Sequence, residues 1–113
     1  MGKVEGVVEN HLRSECKKRG FLCYKWVSPG RIGVPDDIVI GKGKTVFVEC
    51  KSEVGRLSEM QKLTIEKIAD VGGDVRVAYS KEDIDEILDE IDDIKRWKKK
   101  EPIDYKELRK SKK

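Results

Sequence analysis

Pro35-Asp36 is followed, after twelve intervening residues, by Glu49-Cys50-Lys51. Two short β-type runs carry these residues: Asp37-Ile38-Val39-Ile40 and Thr45 to Lys51, joined by Gly41-Lys42-Gly43-Lys44. Glycine supplies the positive φ that two-residue hairpin turns require, so a turn centred on Lys42-Gly43 is expected. In that register Gly41 opposes Lys44, Ile40 opposes Thr45, and further down Asp36 meets Glu49. Opposed Cβ atoms lie about 5 Å apart on one face, where two bare carboxylates repel each other. A divalent cation converts that repulsion into a binding site. Lys51, two residues beyond Glu49, falls on the same face because strands alternate with a period of two. Two carboxylates and an ammonium at one sheet edge can gather Mg²⁺ or Mn²⁺, a phosphate and an attacking water. Such ions take hard oxygen ligands, keep some waters and bind phosphates beside one or two carboxylates. The plain alternative is an amphipathic hairpin with a surface Glu-x-Lys pair, worth a few tenths of a kcal/mol.

The elements that must position these groups can be read along the chain. Residues 3–19 form a helix with Val4, Val8, Leu12 and Cys16 at four-residue spacing, ended by Gly20. Phe21 to Val27 is a first strand, and residues 28–33 make a basic, flexible loop. The two motif strands follow. Ser58 opens a second helix running to about Val71, with Leu63, Ile65, Ile68 and Ala69 available for packing. Gly72-Gly73 turns the chain into a strand over 75–79, and residues 81–95 form a last helix with Ile84, Ile87, Leu88, Ile91 and Ile94 on one side. The order αβββαβα fits an α/β fold, a mixed central sheet flanked by helices. The connection through the second helix can place the last strand parallel to a neighbour.

On a helical wheel Glu9 flanks the apolar stripe, about 60° from Leu12, and can look toward the sheet edge. Glu5 is its geometric rival, about 60° from Val8. Ser58-x-x-Gln61 has the form of a capping box, in which the Gln61 side chain bonds back to the cap. His11 is the single histidine and sits on the first helix as a surface or packing residue, so no nucleophilic triad is built on it.

A chain of 113 residues with 37% hydrophobic content makes one domain with one modest core. Cys16, Cys23 and Cys50 are odd in number and form no CxxC spacing, so they read as reduced cytosolic thiols. No signal peptide or membrane-length apolar run is present, and a soluble cytoplasmic protein without membrane contact is expected. The net charge of +3 is unevenly spread: residues 95–113 hold ten Lys/Arg against three acids, and residues 82–93 hold eight acids and no base. A basic tail carrying Trp97 and Tyr105 suits nucleic-acid phosphates, with stacking; a solvated, fraying terminus is the bland counterpart.

Gly33-Val34-Pro35-Asp36, Glu49-Cys50-Lys51 and Ser58-Glu59-Met60-Gln61 together resemble the PD-(D/E)xK nucleases. With Leu22-Cys23-Tyr24-Lys25-Trp26-Val27-Ser28-Pro29-Gly30 they look most like stand-alone virus-type replication-repair nuclease (VRR-NUC) domains of phages and prophages. The resemblance covers about residues 4–80, and archaeal-type Holliday-junction resolvases share the skeleton. It implies a restriction-endonuclease-like fold, with residues 1–94 as the nuclease domain and 95–113 as a basic C-terminal extension. Family members place the helix glutamate about a dozen residues before the glycine preceding the first strand, which favours Glu9 over Glu5. They also imply that Gln61 lies beside the metal and helps position DNA or water. One departure is Asp37, an extra acid where a basic residue often follows Pro-Asp.

The reaction so implied is metal-dependent hydrolysis of a DNA phosphodiester in a bacterial or phage-infected cell. Asp36, Glu49 and the Cys50 backbone carbonyl would hold Mg²⁺ or Mn²⁺, with Glu9 directly or through water. Lys51 would orient the water or stabilise the transition state. Arg31, Lys25 and Lys42 are candidate phosphate contacts, which position a duplex without reading its sequence. Stand-alone members are implied to dimerise and to resolve junctions, paired through the apolar face of the 81–95 helix or the first helix unless those faces are core. Flap cutting or nicking, or a DNA-binding module or partner-dependent subunit on the same scaffold, are the alternatives.

Overall fold

The computed structural model describes residues 4–109, with side chains from Gly6 onward. Helix α1 spans Val4–Arg19, strand β1 Leu22–Lys25, β2 Asp37–Gly41, β3 Lys44–Cys50, helix α2 Glu59–Asp70, β4 Val75–Ala78 and α3 Lys81–Asp92; a short 3-10 turn, Glu107–Arg109, lies in the tail. The order is the expected αβββαβα. The strands lie side by side as β1-β2-β3-β4. The first three are antiparallel and β4 is parallel to β3, as a helical crossover permits.

Local chemistry explains the boundaries. At the end of α1 the Phe21 N–H donates to the Cys16 carbonyl at 2.9 Å and the Gly20 N–H to Lys17 at 3.3 Å, a Schellman closure. The β2–β3 turn has φ of 49° at Lys42 and 79° at Gly43. Two successive positive values define a type I′ turn, whose twist matches the strands it joins. That turn fixes the pairs Gly41–Lys44, Ile40–Thr45 and Asp37–Val48, the register read from the sequence.

Strand alternation then divides the side chains between two faces. Val39, Val46, Val48 and Cys50 point toward α1 and α3, where they meet Val8, Leu12, Cys16, Ile84, Leu88 and Ile91, all buried. Each such aliphatic side chain contributes roughly 1.5–3 kcal/mol on burial. The apolar sides of α1 and α3 are therefore core. Neither is available as the dimer face that the sequence allowed, because each already covers the other and the sheet. The opposite face is thinly covered. Leu22 is 49% and Tyr24 60% exposed, and Leu63 of α2, expected to pack, is 44% exposed. Trp26 and Phe47 stack there with ring centroids 5.2 Å apart. Among the described residues no helix is long and apolar enough to cross a membrane.

Candidate active site

The acids gather where β2 begins and β3 ends. Asp37 pairs with Val48, so the preceding Asp36 stands opposite Glu49. The chain carries Asp36 past the last ladder position, and its Oδ2 accepts the Cys50 N–H at 3.0 Å, in the place of a main-chain partner. On its other side the Asp36 carbonyl accepts the Trp26 N–H at 2.9 Å. Burial raises the Asp36 pKa, the Cys50 N–H opposes that rise, and the charge of Glu9 adds to it. The loop into Asp36 is pressed on α2: at Gly33, with φ of 89°, an added Cβ would lie 2.8 Å from the Met60 carbonyl oxygen. Only glycine tolerates both the conformation and the contact.

Glu49 is 2% exposed. The Lys51 ammonium lies 3.5 Å from its Oε2, and the Gln61 Nε2 donates to the same oxygen at 2.9 Å. Gln61 makes the expected capping box and, with the same side chain, also bonds the buried glutamate. Its Oε1 accepts the Ser58 N–H at 2.8 Å and its own N–H donates to Ser58 Oγ at 3.1 Å, completing the capping box. The carbonyl end of the amide caps the helix, and the amino end holds the buried glutamate.

Glu9 reaches the cluster from α1. Arg13 Nη2 contacts its Oε2 at 3.0 Å and Lys25 Nζ at 3.1 Å. Asp37 is within hydrogen-bonding reach of it. Asp37 is fully buried, and among the described residues no donor lies within hydrogen-bonding distance of either of its oxygens; Arg13 stands off at 3.7 Å. Two facing carboxylates can hydrogen-bond only if one carries a proton. Burial first, and Glu9 second, push the Asp37 pKa up to about 8. Burial also works against ionisation of Glu9, but the contact with Asp37 and the ammonium of Lys25 outweigh it and hold its carboxyl below the ordinary range.

Asp36, Glu49, Lys51 and Gln61 are brought together, with Glu9 and Lys25 beside them across Asp37. The side chain of Glu5 lies outside the described residues. Arg31 is exposed on the loop leading into Asp36, its N–H bonded to the Ser28 carbonyl. Lys42 does not join the group. It sits on the hairpin tip, six residues of strand or roughly 20 Å from Asp36, and its Nζ donates to the Asp92 carbonyl at 2.8 Å at the end of α3. Turn geometry put that lysine at the wrong end of the hairpin for a phosphate at the acids. His11 pairs with Asp85 at 2.8 Å, between α1 and α3. Two residues were missed in these roles, Arg13 and Asp37. Both had a signal: Arg13 is one helical turn after Glu9, and strand alternation puts Asp37 on the core face with Val39.

Among the described residues no three Asp, Glu, His or Cys side chains form a closed metal cage. The donors present, half-buried Asp36 and buried Glu49 with the adjacent Cys50 backbone, fit an ion that keeps several of its waters.

This layout, a mixed sheet whose second and third strands present Asp36 opposite Glu49 and Lys51, is that of a restriction-endonuclease-like domain. The model of the VRR-NUC domain matches residues 5–82, and the chain belongs to that family. A solved structure described as a VRR_NUC domain superposes with a TM-score of 0.72 at 28% identity, covering 78% of this chain and 97% of its own. The chain is also 55% identical over 49 residues to "Putative nuclease p44" of Acyrthosiphon pisum secondary endosymbiont phage 1, which covers 42% of this chain and 53% of that protein. The match thus spans about half the length of that relative.

Proposed function

We propose that this VRR-NUC domain is a Mg²⁺- or Mn²⁺-dependent DNA endonuclease that selects branched structure over sequence and resolves four-way junctions as a homodimer. The observation that carries the reading is the convergence of Lys51 and Gln61 on buried Glu49, opposite Asp36. Asp36, Glu49 and the Cys50 carbonyl are the candidate ion holders, with Glu9 reaching through water. A bound ion would supply charge neutralisation at the phosphate and a more acidic water. The chain's own residues do the rest. Gln61 fixes the Glu49 carboxylate through an N–H bond, so that its orientation does not depend on the substrate. Lys51, 12% exposed at its side chain, offers N–H donors to a phosphate oxygen or to the water beside it.

Lys25, which contacts Glu9, and Arg31, exposed on the loop leading into Asp36, are the proposed phosphate contacts, with the basic tail as a further electrostatic surface. Contacts of this kind position a duplex without reading bases. Symmetric cuts across a junction need two sites in fixed relation, which a twofold pair of copies supplies. The related phage protein is described as a nuclease, which agrees with this chemistry.

The test is cleavage of labelled four-way-junction, 5′-flap and linear duplex DNA with Mg²⁺, Mn²⁺ or chelator, beside Glu49→Ala and Lys51→Ala. Metal-dependent paired nicks in the junction, absent in both variants, are expected. Preferential flap cutting by a monomer would replace the junction reading, and tight junction binding without cleavage in either metal would overturn the enzyme.

A further inference from the structure

We propose that Trp97 pins the basic tail to the tip of the β2–β3 hairpin, and that the tail so held binds the phosphates of a duplex DNA arm at a set distance from the acids. This rests on the DNA reading above and deepens it, adding a second contact surface with a fixed spacing from the candidate site. The pin is a close contact. Gly43, with φ of 79°, lies against the Trp97 indole, and a Cβ added there would come within 2.7 Å of Cδ1 and 3.4 Å of Nε1. Only glycine meets both the conformation and the contact. Just before it in the chain Ile94 packs against the core, and its N–H donates to the Ile91 carbonyl at 3.1 Å. Beyond α3 the chain is therefore held as far as Trp97, and the tail departs from a defined point.

What the pin holds is charge without internal partners. Lys95, Arg96, Lys98, Lys99 and Lys100 are all exposed, and among the described residues none of them forms an ion pair. Elsewhere cations are paired, Arg19 with Asp92, Lys44 with Asp74 and Arg76 with Glu90. Clustered cations left to solvent fit a polyanion. The spacing selects duplex DNA. The hairpin tip lies roughly 20 Å from Asp36 along the strands, a span of about six phosphates at about 3.4 Å each along one strand. A duplex is stiff over that length, its persistence length being about 150 base pairs, so cations at a fixed distance meet its backbone in register. A single strand bends to any spacing and gains nothing from the pin.

The experiment measures binding of a labelled four-way junction by fluorescence anisotropy in chelator, across a salt series. A second junction carries neutral methylphosphonates in place of the phosphates about six base pairs from the branch. Wild type, the combined Lys98→Ala, Lys99→Ala and Lys100→Ala variant, Trp97→Ala and Trp97→Phe are compared. The combined variant should bind about tenfold more weakly and lose about 2–3 from the salt slope. Trp97→Ala should weaken binding several-fold and Trp97→Phe restore it, and in cleavage the loss should fall in KM rather than kcat. On the methylphosphonate junction these differences should vanish. An unchanged melting temperature of the combined variant, altered only at exposed side chains, shows that it folds. Unchanged affinity and salt slope in that variant would overturn the surface. An equal loss on single-stranded DNA would overturn the duplex, and a fall in sedimenting mass in Trp97→Ala would assign the tail to a second copy instead. Binding is read without cleavage, so tail-dependent affinity in a protein that does not cut would sink the nuclease and keep the surface. Cutting that ignores the combined variant would sink the surface alone.

Discussion

The two faces of the sheet are built to different standards. On one, α1 and α3 seal a core in which Leu12, Val39, Val48, Ile84 and Leu88 have no exposure. On the other, α2 has no buried residue, and a polar tie, the Gln61–Glu49 bond, links it to the sheet. The sealed side gives the acids a rigid support. The open side leaves room for a polymer substrate, which a closed apolar lid would exclude. The two layers are joined through β3, whose alternate residues Val46, Val48 and Cys50 face the core while Phe47 and Glu49 face the other side.

The sharpest break of this contrast is Glu49→Ala, expected to reduce cleavage to background while leaving the melting temperature within a few degrees; Lys51→Ala should cost about 10²–10³-fold, the range for a lost transition-state donor. On the sealed side the opposite holds. Leu12→Ala or Leu88→Ala should cost about 2–5 kcal/mol in urea unfolding, against less than about 1 kcal/mol for exposed Leu63→Ala. Equal costs at Leu63 and Leu88 would erase the distinction between the faces.

A smaller effect comes from pH. In metal-free buffer the folded pKa of Asp37, about 8, lies above that of the unfolded chain, so its stabilising proton is fully held below the ordinary carboxylate range and lost as pH rises toward 8. The raised Asp36 acts in the same sense, and the lowered Glu9 in the opposite sense at the acid end. Melting temperature should therefore fall between about pH 5 and pH 8, and Asp37→Asn should flatten that slope. The smallest effect is expected at Lys42→Ala, which removes a bond to the end of α3: cleavage unchanged, and stability lower by roughly 0.3–1 kcal/mol. A clear loss of DNA affinity there would return Lys42 to the substrate surface.

Much of this arrangement is local and therefore legible in sequence. The Lys42-Gly43 turn sets the hairpin register, and register alone brings Asp36 opposite Glu49. Gly20 and the Ser58–Gln61 box mark helix ends through bonds made within a few residues. What was not legible depends on contacts far apart in the chain. The stripe of Ile84, Leu88 and Ile91 looks the same whether it meets a second copy or its own α1. The pairing of Glu9 with Asp37 needs a helix packed on a strand 28 positions later, a relation that no local spacing encodes. The bond from Lys42 to the Asp92 carbonyl joins residues 50 positions apart and is likewise invisible to local spacing.

The amide of Gln61 has one further consequence, for which residues the position can accept. At the third position of a helix, glutamate closes a capping box as well as glutamine does. Here the same side chain must also offer an N–H to a buried carboxylate, and glutamate has none to offer at neutral pH. Gln61→Glu would preserve the helix end and set two negative charges against each other at the acids. A choice that is interchangeable for folding is thus fixed by the neighbour across the gap, and α2 cannot drift in sequence at this point without the site registering it.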